Sequence, residues 1–258
     1  MTQNKTTGKV KHNEWFRESF TNDYLWLYTH RSDGEAKQQV RTALKLLPYV
    51  KGQHVLDIAC GAGRHMLAMA SKGACVTGVD LSKTLLKTAR AKLKSKGYKA
   101  VFLNKDMRQI EFRERFDGAM MWFTSFGYFP KKSDDRKVLA NIQKSLKPGG
   151  WWWIDLPNPL WLENNLVSHS SRIANGPNGK AEVDETRRIY RGRIQKITTI
   201  TDRKGTKKLI EDVRLYSPET FGSMIKSAGL TAWGVIGEYD GAALTADSTR
   251  QIWFGVRK

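Results

Sequence analysis

Short apolar runs alternate with longer stretches of helical periodicity through the middle of the chain, the pattern expected of parallel βα units. After an amphipathic N-terminal region, residues 54–59 form an apolar run that stops at Gly61-Ala62-Gly63, where a helix is expected to begin and reach about Lys72. Residues 74–79 predict a second strand, Ser82 caps a long helix to about Lys96, and residues 100–103 predict a third strand. Residues 116–123 read as the fourth. A helix from about Ser133 to Leu146 follows, stopped by Lys147-Pro148-Gly149-Gly150, and then comes the heavy strand Trp151-Trp152-Trp153-Ile154-Asp155.

The rhythm breaks between Asn158 and Ser217. Asn175-Gly176-Pro177-Asn178-Gly179 precedes two β-rich runs joined at Lys204-Gly205, and Ile189, Ile194, Ile197 and Ile200 with Leu209, Val213 and Leu215 suggest an antiparallel add-on that acts as a lid or shapes a substrate site. A final helix from about Pro218 to Ala228 and strands near 230–238 and 250–256 complete the pattern. The expected fold is α/β: a Rossmann-like, seven-stranded, mostly parallel sheet flanked by helices, with a small antiparallel β insertion after strand five. Its expected organisation is a flexible N-terminus at 1–12, a helical cap at 13–50, a core at 51–157, the insertion at 158–216 and completion of the core sheet at 217–258.

Composition narrows the class. With 40% hydrophobic residues and nine Trp in 258 residues, the chain can bury a full core. The basic N-terminal stretch has no apolar segment after its charges, and no run approaches the roughly 18 apolar residues of a membrane span. Cys60 and Cys75 lack metal-ligand spacing, so a cytoplasmic protein without a metal is expected. The formal charge of +19 is unusual, and much of it lies on Lys83, Lys87, Arg90, Lys92, Lys94, Lys96 and Lys99, a segment without acids that reads as the solvated side of a helix or as a docking patch.

The glycine turn after the first strand lets the backbone approach a ligand and presents the free N–H groups of a helix start to it. Dinucleotide-binding turns continue to a small residue three positions on, but that position is Met66, which disfavours a pyrophosphate-binding dehydrogenase. Asp80 ends the second strand, about 20 residues beyond the glycines, where a carboxylate can accept both hydroxyls of a ribose. Asp106 follows the third strand, where a carboxylate could take an adenine amino hydrogen while Met107 packs on the ring. With Asp57, these acids all fall at C-terminal strand ends, the edge where open α/β sheets bind ligands.

Through Val55-Leu56-Asp57-Ile58-Ala59-Cys60-Gly61-Ala62-Gly63-Arg64-His65, Gly78-Val79-Asp80-Leu81-Ser82 and Leu146-Lys147-Pro148-Gly149-Gly150, the sequence resembles the class I methyltransferases that use S-adenosylmethionine (SAM). Phe116-Asp117-Gly118-Ala119 and Thr124-Ser125-Phe126-Gly127-Tyr128-Phe129 look like the branch that acts on small molecules. The resemblance implies that Asp57, Ala59, Gly61 and Gly63 hold the methionine part of SAM, Asp80 and Leu81 the ribose, and Asp106 and Met107 the adenine. It also implies that Trp122 and Phe123 line the methyl-donor site, and that Arg31 or Tyr28 lies near the cofactor carboxylate.

A sulfonium methyl is already activated, so the protein has mainly to align a nucleophile and exclude water. Tyr128 is the leading candidate for positioning the acceptor or relaying its proton, with His65, His30 and Tyr239 behind it. No Asp/Asn-Pro-Pro-aromatic motif follows the fourth strand, and neither cysteine is placed as the nucleophile that pyrimidine carbon methylation needs. The expectation is therefore methyl transfer to an O or N atom of a small-molecule acceptor, leaving S-adenosylhomocysteine, by a monomer or homodimer. Docking of RNA, a ribosome or a protein on the basic surface is the alternative reading, and a SAM-binding protein without turnover is a third.

Overall fold

The computed structural model describes residues 14–29 and 31–258. The expected flexible segment at 1–12 and the candidate His30 lie outside the described residues. Short helices α1 (Phe16–Ser19) and α2 (Asn22–Leu27) lead into α3 (Asp33–Leu46). Then β1 (His54–Ile58), α4 (Arg64–Ala70), β2 (Cys75–Asp80), α5 (Lys83–Ser95) and β3 (Ala100–Asn104) alternate. After a 3-10 turn at Met107–Gln109 come β4 (Phe116–Met121), α6 (Lys132–Ser145), β5 (Leu146–Pro157) and α7 (Pro159–Asn165). The insertion supplies β6 (His169–Gly176), β7 (Gly179–Tyr190), β8 (Arg193–Asp202) and β9 (Gly205–Arg214), and α8 (Pro218–Ser227), β10 (Leu230–Ile236) and β11 (Arg250–Arg257) close the chain.

Local chemistry sets the helix starts. The side chains of Ser32, Ser82 and Ser217 accept the backbone N–H of Glu35, Leu85 and Thr220, which satisfies donors that the first helical turn leaves free. On α5 the buried side chains Leu85, Leu86, Ala89 and Leu93 recur at helical spacing and seat it against the sheet.

The main sheet has seven strands and is mostly parallel, as expected from the sequence; their order is β10-β11-β5-β4-β1-β2-β3, and β11 runs antiparallel to both neighbours. Side chains alternate between two layers. Leu56, Ile58, Trp152 and Ile154 belong to the core under α6 and α8, whereas Val55, Met120, Trp151 and Trp153 belong to the core under α3 and α4. The chain leaves β1 toward β2 and β3 and returns to its other side with β4, so the topological switch point lies between β1 and β4.

Two sequence expectations change. Lys147-Pro148-Gly149-Gly150 does not separate helix from strand but lies inside β5: Phe116 pairs with Leu146 and Gly118 with Trp151, so the intervening residues are a bulge on a ladder that β4 keeps open. The insertion has four strands, in the order β6-β7-β8-β9, and Asn175 to Gly179 forms the turn of its first hairpin. Its first strand is largely exposed and polar, so it carries no alternation for the eye to find.

The insertion and α5 together hold the N-terminal cap over the sheet edge. Ser19 Oγ donates to the Ile210 carbonyl at 2.6 Å, Ser82 Oγ donates to the Phe20 carbonyl at 2.6 Å, and Lys207 pairs with Asp23.

Candidate cofactor and acceptor site

Under this cap, at the C-terminal ends of β1, β2 and β4, lies a cavity of about 260 Å³. It is lined by Asp57, Ala59, Gly61, Asp80, Leu81, Asp106, Met107 and Trp122, with Tyr28, Arg31, His65 and Tyr128, which brings the sequence candidates together. Gly63 stands behind the lining, at φ 76°, as the N-cap of α4. Tyr239 lies outside the lining, its hydroxyl donating to Asp155 Oδ2 at 2.6 Å.

Asp80 ties the glycine turn to β2: Oδ2 accepts from Gly61 N and Oδ1 from Ser82 N, both at 2.8 Å. Burial nevertheless pushes its carboxyl up. Asp57 is 2% exposed, and its Oδ2 has no partner among the described residues. Burial, and then the nearby Asp80, push it well above the usual carboxylate range. Two buried carboxyl groups beside one cavity, one with an orphaned oxygen, suit a cationic ligand. The sulfonium and ammonium of SAM fit that requirement.

Asp106 is engaged more heavily than the sequence suggested. Arg108 grips its carboxylate through Nε at 3.0 Å and Nη2 at 2.7 Å, and Arg108 N adds a bond at 2.9 Å. Burial would raise this carboxyl, but the Arg108 fork holds it below its ordinary value, so it stays ionised beside the cavity.

On the opposite side the walls are aromatic. Tyr128 meets Trp15 edge-on at 4.8 Å and stacks with Phe20 at 5.8 Å, and burial raises its hydroxyl, so the phenol is neutral. The Tyr28 hydroxyl donates to Glu211 Oε1 at 2.8 Å and accepts from Lys196, fastening the cap to β8 and β9. Arg31 donates to Tyr24 Oη at 2.7 Å and lies 4.2 Å from the Tyr28 ring centre, so a guanidinium faces the cavity from a bed of rings. His65 stacks on Trp122 with 4.3 Å between ring centres and 3° between planes.

Sequence reasoning missed two supporting groups. Phe123 and Thr124 adopt φ of 52° and 62°, and buried Asp155 holds them by accepting from Phe123 N at 2.9 Å while pairing with Arg250. Arg193 donates to the carbonyls of Phe129 at 3.1 Å and of Gly127 and Tyr128 at 3.3 Å, so a strand of the insertion fixes the loop that carries Tyr128. Neither role has a local sequence signal, because donor and acceptor are 32 residues apart in the first case and more than 60 in the second.

Residues 55–150 match a family model described as a methyltransferase domain. The chain is 37% identical over 97 residues to YqeM of Bacillus subtilis (strain 168), an alignment spanning 37% of this chain and only 39% of that protein. It is 29% identical over 212 residues to the cypemycin N-terminal methyltransferase of Streptomyces sp, covering 78% of this chain and 82% of the relative. A dTDP-4-amino-2,3,4,6-tetradeoxy-D-glucose N,N-dimethyltransferase of Saccharopolyspora spinosa is 24% identical over 217 residues, with 82% of each chain covered. Among solved structures, the CcbJ methyltransferase from Streptomyces caelestis superposes with a TM-score of 0.76 over 95% of this chain and 98% of its own, at 14% identity, so the fold is shared.

Proposed function

We propose that this chain, a class I SAM-dependent methyltransferase by its domain at 55–150 and by its fold, transfers a methyl group from SAM to an oxygen or nitrogen atom of a small-molecule acceptor. The observation that carries the proposal is the roofed cavity, which joins Asp57, with its orphaned Oδ2, and the buried Asp80 on the sheet edge to an aromatic chamber beneath the cap. When bound, the cofactor supplies the electrophilic methyl. Asp57 and Asp80 balance its positive charge, with Asp80 also placed to accept from ribose hydroxyls, and Arg31 stands ready for a carboxylate. Tyr128, Tyr28 and Phe20 exclude water from the acceptor side and fix the approach of a nucleophile. The neutral Tyr128 hydroxyl can donate to or accept from the acceptor, and an uncharged amine needs no general base.

The placement of charge favours a small acceptor over a macromolecule. Of the seven basic residues from Lys83 to Lys99, only Lys92 lines the cavity, and it is paired with Asp33 at 2.6 Å. The names of two relatives, a cypemycin N-terminal methyltransferase and a dTDP-aminosugar N,N-dimethyltransferase, support a nitrogen acceptor. We place the protein in the cytoplasm, in keeping with its two free thiols, as a monomer or homodimer, with residues 158–216 shaping the acceptor side.

Calorimetric titration with SAM, S-adenosylhomocysteine and NADH tests the core of this reading. Micromolar binding of both adenosyl ligands and none of NADH is expected; a folded, ligand-free protein that binds neither adenosyl ligand refutes it.

A further inference from the structure

Four side chains at the junction of α3 and α4 form a relay that ends in the cavity. Arg64 Nη1 donates to Glu35 Oε2 at 2.8 Å, Gln39 Nε2 donates to Glu35 Oε1 at 2.9 Å, and Gln39 Oε1 lies 2.7 Å from His65 Nε2. The directions in this relay are forced. A carboxylate paired with a guanidinium only accepts, so the Gln39 amide must turn its NH2 group toward Glu35 and its oxygen toward His65. Since that oxygen only accepts, His65 Nε2 must carry hydrogen. Burial and the adjacent Arg64 charge both oppose a second proton on the ring, which leaves Nδ1 as a bare lone pair. The ring cannot turn away easily, being 5% exposed and stacked flat on Trp122.

We propose that Gln39 fixes His65 in its Nε2-protonated tautomer so that Nδ1, with the orphaned Oδ2 of Asp57, accepts hydrogen bonds from the α-ammonium of bound SAM. The inference rests on the cofactor reading above. It assigns the amino-acid end of the cofactor by topology: Asp80 and Asp106 follow β2 and β3 and mark the ribose and adenine side, whereas His65 opens α4 and stacks on Trp122, beyond β4 on the other side of β1. Of the donors that SAM carries, the ammonium is then the one left for this corner. His65 becomes a binding residue and Gln39 a positioning residue, and neither moves a proton during transfer.

Two ligands that differ only in the head group decide the matter. His65→Phe keeps the stacking surface and should weaken S-adenosylhomocysteine about tenfold, the scale of one hydrogen bond to a charged group. It should leave 5′-methylthioadenosine, which has no amino-acid head, within about twofold of the parent. Gln39→Met should show the same selectivity to a smaller degree. Imidazole 15N spectra of the unaltered protein should show His65 protonated at Nε2, with the Nδ1 resonance moving when S-adenosylhomocysteine saturates the site. Equal weakening of both ligands in a variant with the parent's melting temperature overturns the proposal, and so, whether or not the variants fold, does an Nδ1 resonance of the unaltered protein that is protonated or stays still on saturation. A parent that binds neither ligand overturns instead the cofactor reading beneath it.

Discussion

Met66 stands where a dinucleotide-binding turn carries a small residue, and the register of the sheet shows what makes room for it. Gly78 of β2 pairs with Asp57 of β1, and a Cβ there would lie 2.4 Å from Met66 Sδ and 2.7 Å from Cys60 Sγ. The space a Rossmann turn gains from a small helix residue is provided here by a glycine in the neighbouring strand, which is invisible until the strands are paired. Asp57, Asp80 and Asp106 were legible because strand ends are legible. The relay through Gln39 was not, because its partners are brought together by helix packing over 26 residues. Asp80 permits a direct test. Asp80→Asn keeps the size and one acceptor but removes the charge, and calorimetry should find SAM bound weaker by about 1.5–3 kcal/mol. Unchanged affinity in a variant of normal melting temperature would remove Asp80 from the ribose.

The elements around the cavity differ in how much of them could be foreseen. Parallel strands buried on both faces announce themselves as apolar runs, and β1, β2, β4 and β5 all do. The bulge at the start of β5 depends on β4 continuing alongside, and β6 depends on β7, so neither could be read from its own residues. The junction between insertion and core is likewise a tertiary product. Asp135 of α6 is fully buried, accepts from the Tyr216 hydroxyl at 2.6 Å and faces Arg214 of β9 at 3.6 Å. Burial outweighs these partners and pushes its carboxyl up to about 6. The folded protein therefore keeps a proton that the unfolded chain releases near its ordinary value of about 3.9, and stability attributable to this group falls as pH rises from there through about 6. Relative to Asp135→Asn, which cannot titrate, the unfolding free energy of the parent should drop by about 2–3 kcal/mol between pH 4 and pH 7. A difference that stays constant with pH in denaturant titrations would show that Asp135 ionises normally.

Across the whole molecule the excess of positive charge is the property that composition overstates. Lys83, Lys87, Arg90, Lys94, Lys96 and Lys99 are exposed, and none of them lines the cavity. Charges open to solvent act weakly through water and are screened within about 10 Å at ordinary salt. Replacing Lys83, Lys87 and Lys94 by Glu should therefore leave SAM affinity within about twofold. The parent should also leave RNA unshifted in a low-salt gel. A shift that the replacements abolish would instead make this helix a docking face and revive a macromolecular acceptor.

The fastenings of the cap carry a last consequence, and it concerns time rather than affinity. Ser19, Asp23 and Tyr28 are held by β8 and β9, and the Phe20 carbonyl by α5, so the roof parts from the sheet edge only when contacts with the insertion and with α5 are released together. On the proposed function, a substitution in β8 or β9 that loosens these fastenings is expected to change how quickly spent cofactor leaves, as well as whatever it does to the acceptor.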